Sequence, residues 1–367
     1  MFSGKLQADN FRQMASIYPA RVVRRSSNPI PLALGVSLDL PETFEFGGSY
    51  HDTSAFLNAV DTTGLLVMKD GRVVYEKYWL GYDETTQAIS WSVCKSFVSA
   101  LVGIAIAEGA IGSVKEPVTR YARELAGSAY DGVSLKDVLQ MSSGARWNED
   151  YSDPNSDLNL FGRIHAEGGS VDAYCAKVQR ECPPGTFNRY NTLDTCVLGL
   201  VLRNATDRSL SDYLHEKLWQ PLGMQADCFW NVDSTGAEFA GGGLSAALRD
   251  YVKLGLLYLQ EGTWNGCQIL PSEWVHASVT PDAPHLMPGK RPSASHPFGY
   301  GYQWWIPDNS GAYSAIGIYN QYIFVDPSAR VVVAKTSAFR DFALRSKPEY
   351  YRYGDHFALF RAIGAAT

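Results

Sequence analysis

The chain has 367 residues, 46% hydrophobic and 19% charged, a length for two domains or one large domain with an insertion and a composition that excludes wholesale disorder. Its net charge of -6 argues against a general nucleic-acid binder, whose surface would be basic. The most apolar stretch, Phe97 to Ile111, is too short for a membrane span and carries Glu108.

Residues 1 to about 60 show little periodicity and many turn formers, such as Asn28-Pro29 and Pro31, and read as a strap over the surface. Met1 to Asp9 has no apolar run followed by a small-residue cleavage site, so a cytoplasmic protein is expected. Gly64 to Val67 and Val73 to Trp79 are β-rich runs around Lys69-Asp70-Gly71. Asp-Gly between such runs signals a hairpin.

Ser90-Trp91-Ser92-Val93-Cys94-Lys95 then opens a proline-free apolar stretch that reads as a buried helix. Ser92 would start that helix as a cap. Lys95, three residues on, would share its face. A lysine so placed can take the serine proton if burial favours its neutral form. The free amides of a helix N-terminus can stabilise charge on a reacting oxygen. No other serine here has a lysine three residues later. Alone, S-x-x-K is a weak pattern, since a capping serine and a surface lysine also produce it.

Beyond Gly112 the character becomes helical. Val118 to Leu125, Leu135 to Met141, Asp172 to Lys177, Asp194 to Arg203, Leu210 to Trp219 and Ala247 to Leu259 are predicted helices. Long loops separate them, notably Trp147 to Asp157, Cys182 to Tyr190 and Asp227 to Gly243, and loops of that length are often functional. From Phe298 the pattern is β again: Tyr302 to Ile306, Tyr313 to Ile318, Gln321 to Val325 and Val331 to Lys335, with a helix over Glu349 to Ile363. The order predicts an α/β domain built from residues 1–112 and 290–367, a mostly helical domain at 113–289, and a site in the cleft between them.

Six scattered cysteines without a C-x-x-C pair read as reduced thiols rather than a zinc site or disulfide framework. The seven histidines include no H-E-x-x-H, and there is no G-x-S-x-G elbow, Walker motif or dinucleotide fingerprint. No metal or cofactor is expected.

The strands, S-x-x-K helix, helical insertion and returning strands together resemble the serine β-lactamase and penicillin-binding-protein superfamily, which pairs S-x-x-K with two further motifs. Leu135 to Gly144, Pro183-Pro184-Gly185-Thr186-Phe187 before Tyr190, Trp219 to Met224, and Gly241-Gly242-Gly243-Leu244-Ser245 support the resemblance. Within it, Val118 to Gly132, Asn148-Glu149-Asp150-Tyr151, Tyr302 to Trp305 and Gly317-Ile318 are most similar to the 6-aminohexanoate-dimer hydrolases, nylon-oligomer hydrolases of class C type.

That resemblance implies a DD-peptidase-like fold, an antiparallel sheet flanked by helices plus a mostly helical domain. It implies Ser92 as nucleophile and Lys95 or Tyr190 as its base. Tyr190 would pass a proton to the leaving group, and the backbone amides of Ser92 and Ile318 would be oxyanion donors. The second motif reads Tyr190-Asn191-Thr192, so Thr192 supplies the third residue's hydroxyl unless Asn191 exchanges roles with it. The third motif, K-T-G in relatives, is reduced to Gly317 after Ala315-Ile316. Those lost groups help bind the carboxylate of β-lactams, which favours an amidase or esterase. In the matching loop, Tyr151 would face the substrate amide, and Glu149 and Asp150 would attract a cationic amino terminus. Trp304 and Trp305 alternate along a predicted strand, so one faces the cleft. The expected partner is a small linear amide or short-chain ester, with no nucleic acid or membrane; a homodimer is compatible with the sequence. β-Lactamase or DD-peptidase activity and acyl transfer are the alternatives on the same residues.

Overall fold

Asp70 and Gly71 both have positive φ, 50° and 75°, the values a type I′ turn requires. Across that turn, Thr62–Lys69 and Arg72–Tyr78 pair antiparallel in the computed structural model, which describes residue 4, residues 6–342 and residues 351–367. The two strands form one edge of a seven-stranded sheet. From the other edge the order is Gly299–Tyr300, Trp305–Ile306, Tyr313–Gly317, Gln321–Asp326 and Val331–Ser337, then Thr62–Lys69 and Arg72–Tyr78. Every pairing is antiparallel.

Thr62–Lys69 is buried along nearly its whole length, as a continuous apolar run predicts for a strand covered on both faces. Leu66 and Met68 join the core that holds Phe97 and Leu257. Leu65 and Val67 join the core that holds Phe357 and Phe360, on the C-terminal helix Tyr353–Ala366. Positions 349 and 350 of the expected C-terminal helix lie outside the described residues, as do 1–3 and 5 of the N-terminal segment.

The helix of the S-x-x-K lysine runs Cys94–Ala107, with residues 94 to 105 buried. A 3-10 turn, Trp91–Val93, leads into it. Helix Thr192–Thr206 packs against it, and Asn191 caps that second helix by accepting the Leu193 amide at 2.9 Å.

Several expectations need correction. Val118 to Leu125 forms two 3-10 turns, Val118–Arg120 and Arg123–Leu125, not one helix. The helix from Leu210 ends at Leu214 and continues as a π-helical turn to Trp219. Tyr302 to Ile306 shortens to Trp305–Ile306 because Gln303 turns the chain at φ 62°, its buried amide donating to Leu139 O at 2.8 Å. The N-terminal segment is more than a surface strap: Phe11, Met14, Val23, Phe44 and Phe56 are core residues. Helices Thr53–Ala59, Asp157–Ala166 and Ser272–Val279 have no counterpart in the sequence reading. Nor has a second sheet, ordered Ala20–Val23, Cys228–Asn231, Leu244–Ala246 and Ala88–Ile89. Its strands of two to four residues are too short to show a period of two. Among the described residues no helix is long and apolar enough to cross a membrane.

Candidate active site

Ser92 sits within the 3-10 turn, and its hydroxyl caps nothing. It accepts a hydrogen bond from Lys95 Nζ at 2.8 Å instead. The same ammonium donates to Gly241 O. Lys95 is 1% exposed. Burial lowers its pKa and prevails over the opposing pull of the Glu149 carboxylate. Neutral lysine is therefore favoured relative to a lysine in water.

Tyr190 lies over this pair, its ring centroid 5.2 Å from Lys95 Nζ. Its ring stacks on Trp305 at 4.9 Å and 29° and meets Tyr300 edge-on. Burial first, then Tyr300 and Glu149, raises the phenol pKa well above its ordinary value. The nearby Ser92 hydroxyl pulls the other way, but burial prevails. Lys95 is thus poised to lose a proton and Tyr190 to keep one.

Strand Tyr313–Gly317 brings Ile318 to the same place. A Cβ on Gly317 would lie 2.4 Å from Ser90 O. Only a glycine lets the strand end press so closely against the turn that carries Ser92. The Ser92 amide lies in the first turn of a helical segment, where amides lack intrahelical acceptors. The Ile318 amide follows the last paired residue of its strand.

Two lobes of open space meet at these groups. The larger, about 620 Å³, is lined by Tyr190, His296, Phe298, Trp305, Ile316 and Gly317, among others. The smaller, about 360 Å³, is lined by Trp91, Leu158, Phe161, Thr192, Phe239 and Gly242, among others. Ser92, Glu149, Tyr151 and Ile318 line both.

Glu149 is the hub of the loop. It accepts from Trp147 Nε1 at 2.6 Å, the Thr192 amide at 2.8 Å, Thr192 Oγ1 at 2.7 Å and the Tyr151 hydroxyl at 2.8 Å. Its carboxylate is engaged by these four donors, which tie it to Tyr151 and Thr192. Thr192, not Asn191, faces the site; Asn191 is buried and donates to Asp194 Oδ1 at 3.0 Å.

Two expected residues are not brought to the cavity. Asp150 turns into its own loop, its Oδ1 accepting from Ser152 N at 2.9 Å and Ser152 Oγ at 2.7 Å. Trp304 is fully buried, its ring 4.5 Å from Tyr258 and 5.4 Å from Tyr313. The alternation of the pair sends Trp305 to the cleft and Trp304 to the core. Lys335 is buried and bonded to Ser337 Oγ, away from both lobes; it does not replace the missing K-T-G lysine.

Sequence reasoning missed Trp147, Trp91 and the specific part of Gly241, whose carbonyl holds Lys95. His296, one of the histidines outside any H-E-x-x-H pattern, was also not assigned to the site. That ring lines the larger lobe 4.5 Å from Trp305, and burial pushes its pKa down to about 3, so it is a neutral wall.

Comparison with known proteins gives the arrangement a lineage. The chain is 31% identical over 340 residues to the 6-aminohexanoate-dimer hydrolase of Paenarthrobacter ureafaciens, covering 90% of this chain and 85% of that protein. A solved structure from Bacillus anthracis, provisionally named a 6-aminohexanoate-dimer hydrolase, superposes with a TM-score of 0.87 at 23% identity, over 98% of this chain and 95% of that one. A family VIII carboxylesterase shares the fold with a TM-score of 0.61 at 16% identity, over 86% of this chain and 95% of its own. The beta-lactamase family model matches residues 55–350, which contain the S-x-x-K turn, Tyr190 and the strand that ends at Gly317. The chain belongs to the beta-lactamase family, as a serine hydrolase.

Proposed function

We propose that the protein hydrolyses linear amides and short-chain esters through an acyl-enzyme on Ser92. The observation that carries this is the Lys95 Nζ to Ser92 Oγ contact of 2.8 Å at the junction of two lobes, with Tyr190 over it. Neutral Lys95 takes the Ser92 proton as Oγ attacks the carbonyl. The Ser92 and Ile318 amides receive the developing oxyanion. Tyr190, protonated, donates to the departing nitrogen or oxygen and is reprotonated through Lys95. Water then attacks the acyl-enzyme by the reverse route. Tyr190 lines only the larger lobe, so the leaving group lies there and the acyl chain in the smaller, mostly apolar one.

The third-motif strand presents Ile316 to the larger lobe where relatives carry a hydroxyl or charge. This supports amide and ester chemistry over β-lactam turnover, and a chromogenic cephalosporin should be hydrolysed far more slowly than a p-nitrophenyl ester. Strands from residues 62–78 and 299–337 share one sheet, which supports an α/β domain built from both ends of the chain. All six cysteines are free, which supports a reducing, cytoplasmic setting.

Tyr151 separates the two substrate classes. Its hydroxyl donates to Glu149, so its oxygen is left to accept. A scissile amide N–H directed at that oxygen turns the nitrogen lone pair away from Tyr151, toward the proton donor Tyr190. The contact strengthens as the nitrogen becomes pyramidal. A hydrogen bond of this kind is worth about 1–3 kcal/mol when its loss leaves a buried partner unpaired. Tyr151→Phe should lower turnover of a 6-aminohexanoate dimer by about tenfold or more. A p-nitrophenyl ester, which has no N–H and leaves as a phenolate, should change by less than about threefold. Equal losses on both substrates with a lowered melting temperature would assign Tyr151 to loop packing alone.

Gly317→Ala tests the oxyanion geometry. The added Cβ meets a backbone oxygen, which cannot move without shifting the Ser90–Ser92 turn or the strand end. Either shift separates the two amides. Rates on both substrates should fall by about a hundredfold, the scale of one lost oxyanion donor. A Gly317→Ala enzyme within threefold of the parent would remove Ile318 from the mechanism.

A further inference from the structure

Two bulky residues flank the oxyanion amides in a backbone conformation that glycine normally occupies. Trp91, just before Ser92, has φ 47°, and Tyr319, just after Ile318, has φ 60°. Neither is glycine or asparagine, so neither adopts the left-handed region without support from its surroundings. Their rings lie against each other, centroids 5.5 Å apart.

Phe11 meets both. Its ring lies edge-on to Trp91 at 5.3 Å and 71°, and edge-on to Tyr319 at 4.9 Å and 70°. Phe11 is 1% exposed and ends the short helix Gln7–Phe11. That helix is tied down from three sides. Gln7 Nε2 donates to Ala338 O at 3.2 Å, the Tyr82 hydroxyl donates to Ala8 O at 2.6 Å, and Arg12 bonds Gly81 O. The aromatic cluster therefore joins three distant parts of the chain at the two residues that aim the oxyanion donors.

We infer that Phe11 is a positioning residue for hydrolysis. By packing against Trp91 and Tyr319 it holds both in the left-handed conformation, and so keeps the Ser92 and Ile318 amides converged on one oxygen. It touches neither lobe, so it acts through those two neighbours and not on substrate. The inference rests on the proposed oxyanion role of the two amides.

The test compares Phe11→Ala and Phe11→Leu with Phe44→Ala. Phe44 is buried in the same core but packs on His51 and Phe56, not on Trp91 or Tyr319. Each enzyme is assayed on p-nitrophenyl butyrate and on its thiono analogue, whose sulfur is a poorer acceptor for oxyanion donors. The parent enzyme should strongly prefer the oxygen ester. Phe11→Ala should lower kcat on that ester by about thirtyfold, short of the hundred- to thousandfold of a fully lost donor, with KM changed less than threefold and the oxygen-over-sulfur preference reduced. Phe11→Leu, which refills the space and keeps the fold, should lose about fivefold in kcat, a fraction of the same effect. Phe44→Ala should lose melting temperature but keep kcat and the preference. If the parent shows no preference for oxygen, the oxyanion assignment itself fails. If the parent shows it and Phe11→Leu keeps kcat within twofold, or Phe44→Ala loses kcat as Phe11→Ala does, the positioning role is overturned.

Discussion

Ser92→Ala is expected to reduce hydrolysis of amides and esters alike by at least about a thousandfold, since loss of a nucleophile removes the covalent route altogether. The fold should survive. The Ser92 hydroxyl caps no helix, and Lys95 keeps its bond to Gly241 O when that hydroxyl is gone. Melting temperature should therefore stay close to that of the parent, because removing one half-buried hydroxyl costs about 1 kcal/mol at most when its partner retains another acceptor. Binding should persist as well, since the lobes and the Ile318 amide are untouched. Activity within tenfold of the parent on every substrate tried would exclude Ser92 as the nucleophile.

Lys95→Ala and Tyr190→Phe should each slow acylation by about a hundredfold or more, the usual contribution of a positioned acid or base. The double variant should fall short of the product of the two losses, because the groups hand on one proton and neither works without the other. A fully multiplicative double variant would separate them into independent roles. The same assignment fixes the pH profile. Lys95 acts as base when neutral, and burial lowers its pKa from the ordinary lysine value. Activity, as kcat/KM, should therefore rise with pH through that lowered value and reach its plateau before an exposed lysine would titrate. Tyr190 acts as acid when protonated, and burial raises its pKa. The alkaline fall should accordingly lie above the range of an ordinary tyrosine. An ascending limb that disappears in Tyr190→Phe but survives in Lys95→Ala would assign the base to a tyrosinate instead.

Legibility of the sequence followed the length of each signal. The Asp70-Gly71 hairpin, the apolar helix from Cys94 and the strands from Tyr313 onward were readable because each carries a period or turn chemistry over many residues. The four-stranded sheet was not, because strands such as Ala88–Ile89 are no longer than a single period. Val118 to Leu125 looked helical by composition, yet its residues settle into two 3-10 turns. Tertiary packing overrides propensity in segments this short. At the site, Ser92 and Lys95 were visible through spacing alone, whereas Tyr190 and Ile318 needed the family resemblance to be noticed. Glu149 was visible as a charge, but its four donors were not. Local sequence shows that a carboxylate is present and not whether folding has already engaged it. Trp304 and Trp305 carried equal promise, and only the packing of Trp304 on Tyr258 and Tyr313 shows which of them faces the cleft. Trp91 gave no signal at all, since its strain is a property of backbone and neighbours rather than of residue type.

The proposed mechanism requires a covalent intermediate on Ser92. The most direct measurement incubates the enzyme with a slowly deacylating p-nitrophenyl ester, quenches in acid, digests with trypsin and maps the acyl group by mass spectrometry. One acyl group per chain is expected on Ser92, absent from Ser92→Ala and formed much more slowly in Lys95→Ala. An acyl group on any other residue, or full turnover with no covalent species at all, would contradict it.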